Sequence, residues 1–232
     1  MKVLRSLLLV IFLSYSCTND DVIPEDVISY RNLNFKWMVE NTSEYASFEF
    51  NCSGNFIVVK NNRLLSYPTI ILGKYTPLST RRMELTGLGM MDISTLNDKY
   101  FRFTLKLDSD PDNDIEFEAI KAPLIDGASS LHQLFRTWEL VSFNGEDVKA
   151  KMIAIFGAAG TFLVKWPLEE PSLATWQWRD QSKRQICVLW NPDDDCSEEN
   201  QIRIIGLSDE QLMIYESPDE GVEYLSVLKS AH

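Results

Sequence analysis

Tryptophan is the residue whose type and spacing come closest to chemistry in this chain. Five of the six lie in its second half. On "TFLVKW" (161–166), Phe162, Val164 and Trp166 share one strand face. On "WQW" (176–178), Trp176 and Trp178 do the same, and on "ICVLW" (186–190), Ile186, Val188 and Trp190. These groupings follow from the two-residue period of a strand. If the three faces point inward, Phe162, Trp166, Trp178 and Trp190 can stack a sugar ring or enclose an apolar ligand. The same residues can instead fill a core, each indole N–H bonded to a carbonyl. Trp138 and Trp176 read as core, as do Trp37 and Tyr75 in the first half. That half reads as poorer in aromatics, and as a spacer or support.

The acidic runs offer little more. "DSDPDND" (108–114) places Asp108, Asp110, Asp112 and Asp114 at alternate positions, like the opening of a calcium loop. Asn113 then stands where that loop needs glycine, and Ala119 where it needs a bidentate glutamate. This run and "NPDDD" (191–195) therefore read as solvated turns, and no metal site is expected. The chain has two histidines, no GxSxG, no HExxH and no glycine-rich phosphate loop. A non-catalytic protein without a cofactor is expected. The net charge of −12 disfavours nucleic acid.

Four cysteines remain to be placed. Cys187 and Cys196 flank "VLWNPDDD" with an Asn-Pro turn between them and are a disulfide candidate. Cys52 reads as a small buried apolar residue. Cys17 ends an N-terminal segment with a positive start (Lys2, Arg5) and an apolar run, Leu7 to Leu13. That run is too short to span a bilayer and describes a signal peptide over residues 1–16. The stretch Leu13-Ser14-Tyr15-Ser16-Cys17 resembles a bacterial lipobox, although Ser14 stands where an aliphatic residue is usual. Asp20 and Asp21 resemble the surface-export signal of Bacteroidota lipoproteins. The resemblance implies acylation of Cys17, attachment to the outer membrane through that lipid, and display at the cell surface. Residues 17–28 would be the acylated cysteine and a flexible tether.

The elements that must position these residues come from an internal duplication. "FKWMVE" (35–40) matches "RTWELV" (136–141), and "FEFNCSGNFIVV" (48–59) matches "IAIFGAAGTFLV" (153–164). "GKYTPL" (73–78) matches "ATWQWR" (174–179), and "DISTLNDKYFRF" (92–103) matches "RIIGLSDEQLMI" (203–214). The order is the same in both halves, with a domain-sized period of about 100 residues. Trp37 pairs with Trp138, Gly54 with Gly160, Phe56 with Phe162, Tyr75 with Trp176 and Leu96 with Leu207. The alternating segments predict about eight short strands per half. The expected fold is all-β: two tandem antiparallel up-and-down barrels, domain 1 over 29–122 and domain 2 over 131–232. "PLIDGASS" (123–130) is the linker, and "ASSLHQLF" (128–135) is the best helical candidate. The pattern resembles the lipocalin-like domains of Bacteroidota lipoproteins. That resemblance implies a small apolar or glycan ligand held in a barrel. The other reading is a filled barrel whose acidic loops meet a protein partner at the cell surface.

Overall fold

The structure is a computed structural model describing residues 32–62, 67–127, 132–191, 193–219 and 222–231. The expected signal peptide, Cys17 and the tether lie outside the described residues. The first eight strands are β1 (Lys36–Val39), β2 (Tyr45–Phe50), β3 (Asn55–Lys60), β4 (Thr69–Pro77), β5 (Arg82–Leu85), β6 (Gly89–Leu96), β7 (Tyr100–Leu107) and β8 (Asp114–Lys121). Each is antiparallel to the next, and β8 returns to β1 to close a barrel.

The second set is β9 (Thr137–Phe143), β10 (Glu146–Asp147), β11 (Ile153–Phe156), β12 (Thr161–Lys165), β13 (Ser172–Trp178), β14 (Gln185–Leu189), β15 (Gln201–Leu207), β16 (Gln211–Asp219) and β17 (Val222–Ser230). Pairing of β17 with β9 closes the second barrel. β10 is a two-residue extension along the edge of β9. It is made by the Asn144-Gly145 turn, both residues at positive φ, 50° and 81°. A two-residue Asn-Gly turn with that twist is the favoured hairpin connection. The chain is thus two closed eight-stranded antiparallel barrels in tandem.

Alternation explains each strand. On β7, Phe101, Phe103 and Leu105 are buried while Tyr100, Arg102 and Lys106 are exposed. The helical candidate is not a helix where it is described. Residues 132–135 form a turn, with Phe135 N–H bonded to the His132 carbonyl at 3.3 Å. The reason lies in Leu134. Its side chain is fully buried, and its carbonyl accepts from Trp138 Nε1 at 3.0 Å.

That bond is one of a set that makes the duplication explicit. Trp37 Nε1 donates to the Leu33 carbonyl at 3.1 Å in the first barrel. Gly54 and Gly160 both have positive φ, 74° and 85°. Tyr75 N–H donates to Gly54, and Trp176 N–H to Gly160. Asn97 N–H bonds the Tyr100 carbonyl as Ser208 N–H bonds that of Gln211. Ala122 N–H closes onto Lys36 as Ala231 N–H closes onto Thr137.

The barrels meet along a seam. Ile57, Ile155 and Leu163 are buried there, with Val59, Ile70, Leu72 and Leu173 packed around them. All seven lie on outer walls, which explains why "NFIVV" is apolar on both faces. Around this patch run polar contacts. Asn55 Nδ2 donates to Thr137 Oγ1 at 2.6 Å, and Lys36 Nζ donates to Thr161 Oγ1 at 3.1 Å. Lys36 and Thr137 occupy matching places in the two copies, as do Asn55 and Thr161. The two contacts are therefore related by an approximate two-fold axis. Glu49 is buried in the same seam, its carboxylate against Gly157, where any Cβ would collide with it. Burial raises its pKa, opposed by the nearby Lys36 charge and a hydrogen bond with Thr161.

Candidate ligand-binding site

Each barrel has a seam end, next to the turns 51–54 and 157–160, and a far end. Strand direction decides which end each aromatic reaches. β12 and β14 run toward the far end, so Trp166 and Trp190 stand there. β13 runs the other way and carries Trp178 to the seam end. Its Nε1 donates to the Asp126 carbonyl at 3.1 Å, and its ring meets Trp176 edge-on at 4.9 Å. Trp178 therefore anchors the linker. Ile125 completes that plug: its N–H bonds the Ala158 carbonyl at 2.9 Å and its side chain packs on the core. Of the four expected ligand-contacting residues, Trp166 and Trp190 follow strands that run to the far end, Phe162 lies on the first rung beside the 157–160 turn and touches Trp190, and Trp178 does not join them.

The interiors of the two far halves differ. In the first barrel Phe48, Phe103 and Phe117 pack as a cluster with centroids 4.9–5.1 Å apart, and Tyr45 joins Phe117 at 5.0 Å. The expectation of an aromatic-poor supporting half is thus corrected. Its core is rich in phenylalanine, which a count of tryptophan overlooks. Register identifies the matching positions in the second barrel. Trp37 faces Phe48 as Trp138 faces Ala154, and Phe103 faces Phe117 as Ile214 faces Ser226. Three packed phenylalanines are replaced by Ala154, Ile214 and Ser226, each smaller and each itself buried.

That rim is aromatic and open to solvent. Phe143 is 37% exposed, Trp166 40% and Trp190 44%. Phe143 stacks on Tyr224 at 5.3 Å, and Trp190 meets Phe162 edge-on at 5.9 Å. Phe162 is buried and also packs on Phe156 at 4.8 Å. Small Ala174, directly opposite Phe162 on β13, leaves room for Trp190 to approach it.

One carboxylate shares this end. On β16, Leu212 and Ile214 point into the core, so Glu216 does too. It pairs across the sheet with core residue Ile202 on one side and Tyr224 on the other. Among the described residues no side chain hydrogen-bonds or ion-pairs with it. Burial alone raises its pKa.

Phe143, Tyr224 and Glu216 are missed by a search led by tryptophan. The signal for Glu216 is present in "QLMIYE", where an acid stands in register with two core aliphatics. The acidic run 108–113 is the β7–β8 turn, with Asn113 Nδ2 donating to Asp110. Among the described residues no cluster of ligating side chains suited to a metal is present. A shallow outer-wall notch of about 130 Å³ is lined by Gln185, Arg203, Tyr215 and Glu223. Arg203 is already satisfied there, by Glu223 at 2.7 Å and the Tyr215 ring at 5.0 Å.

Cys187 on β14 and Cys196 in the following loop form a disulfide, their Cα atoms 5.5 Å apart. It pins the loop that carries Trp190. Cys52 differs from expectation: it is half-buried in the turn at the seam and is disulfide-bonded. Among the described residues no helix is long and apolar enough to cross a membrane. No protein-family model matches the chain, and no curated protein matches it.

Proposed function

We propose that the chain is an exported, lipid-anchored surface protein of the bacterial outer membrane that binds a small apolar or glycan ligand without catalysis. The ligand enters the far end of the second barrel, between Phe143, Trp166 and Trp190, with Phe162 beneath Trp190. The observation that carries this reading is the contrast between copies: Phe48, Phe103 and Phe117 fill one far half, and Ala154, Ile214 and Ser226 line the other. A ligand against the rim would make from outside the apolar contacts that the first barrel makes among its own phenylalanines. The exposed aromatic rim supports the same reading.

The anchor rests on the N-terminal sequence. With Cys187 and Cys196 joined, acylation of Cys17 requires that its sulfur stay out of the Cys52 disulfide. Mass spectrometry of the protein extracted from its own membranes tests both halves of the proposal. A diacyl mass on the peptide beginning at residue 17 supports the anchor, and a Cys17–Cys52 peptide in the unreduced digest refutes it. In the native spectrum, an adduct that denaturation releases supports the binding site. A bare protein mass moves the function to contacts with another surface protein.

A further inference from the structure

The internal duplication gives Glu216 a reference that an isolated domain lacks. The turn bonds Asn97 to Tyr100 and Ser208 to Gln211 align the strands β7 and β16. Counting from them, Phe101 matches Leu212, Phe103 matches Ile214, and Leu105 matches Glu216. Cross-strand pairing agrees: Leu105 faces Ile115 as Glu216 faces Tyr224. Leu105 is fully buried, one more apolar residue in a filled barrel. The second copy has exchanged this leucine–isoleucine pair for a carboxylate and a tyrosine, beneath an aromatic rim.

A carboxylate directed inward among apolar groups is costly unless something compensates it. Among the described residues no side chain compensates it, and Arg203 on the neighbouring strand is committed to Glu223 on the outer wall. Tyr224 is its cross-strand partner, and Phe143 stacks on Tyr224 at 5.3 Å. Ring faces and a carboxylate favour the same partner, a cation, and an alkylated ammonium combines that charge with an apolar surface. We propose that the far mouth of the second barrel selects cationic amphiphiles, with Glu216 and the Phe143–Tyr224 pair receiving an ammonium group and the Trp190–Phe162 side receiving its hydrocarbon. This inference rests on the binding reading above and narrows its ligand class.

The test compares three probes that share one chain: octyltrimethylammonium, octanol and octanoate, each added below its micelle concentration to the mature protein. Binding is followed by calorimetry and by tryptophan fluorescence. The expected order is ammonium first, with octanoate weaker by at least about tenfold. Glu216→Gln should erase the preference of ammonium over octanoate. Tyr224→Leu, which keeps the acid, should weaken the ammonium more than octanol. Octanoate binding as tightly as the ammonium, or a Glu216→Gln protein with the preference intact, overturns the inference and leaves the binding site standing. If no probe binds while the protein is folded by its unfolding transition, the inference falls, and the apolar-ligand form of the binding reading falls with it.

Discussion

Refilling the second barrel tests the volume contrast directly. Ser226 is buried at 3% exposure and occupies the place that Phe117 holds in the first barrel. Phe117 is 1% exposed and packs on three rings at 4.9–5.1 Å. Removing it as Phe117→Ala should cost about 3–5 kcal/mol, the usual range for a core phenylalanine. The reverse change, Ser226→Phe, depends on space. If the far half has room, the new ring gains about 1.5–3 kcal/mol from burial, and a buried hydroxyl is removed as well. If that half is already close-packed, the ring must displace its neighbours at about 1–3 kcal/mol. The two cases differ in sign, so urea unfolding of wild type and variant separates them. A raised midpoint with loss of octanol binding is the expected result. A lowered midpoint with binding unchanged refutes the claim that the far half is underfilled.

Two further predictions concern the seam and the disulfide. Because burial raises the Glu49 pKa, the folded protein holds this proton above the ordinary 4.5 of the unfolded chain. The group's contribution to stability is full below that pH and is lost as pH rises through the raised value. Glu49→Gln should therefore stabilise increasingly from pH 5 to pH 8, and a constant difference between the two proteins across that range would contradict the assignment. The Cys187–Cys196 bond closes a span of nine residues, for which loop entropy gives about 2.5 kcal/mol. Changing both to serine should lower stability by about that amount and weaken octanol binding by freeing Trp190. Equal affinity in the disulfide-free protein would remove the Trp190 loop from the site.

Local period made the strands legible. Phe101, Phe103 and Leu105 announce their face by alternation, and the matched pairs Trp37–Trp138 and Gly54–Gly160 announce the repeat. The site was legible only in part. Trp166 and Trp190 could be assigned to strand ends, but which end depends on strand direction around a closed sheet, and this separates Trp178 from them. The difference in bulk was hidden for a related reason. Phe48, Phe103 and Phe117 come from three strands, and only register shows that they meet. The seam was masked because Ile57 and Leu163 read as ordinary strand residues until a second wall covers them.

The approximate two-fold seam frees the chain from a constraint that binds a pair of identical subunits. In a homodimer each interface residue occurs twice, so one buried acid means two, and any change in the cavity of one partner is repeated in the other. Here the two crossings have separate chemistries, Lys36 with Thr161 and Asn55 with Thr137. Glu49 is matched in the other copy by Ile155, and both lie at the seam. Fusion thereby allows the two interiors to diverge: one copy keeps its phenylalanine cluster, while its sister carries Ala154, Ile214 and Ser226 at the matching places. A loss of packing in one barrel is then borne with a neighbour whose core need not change with it.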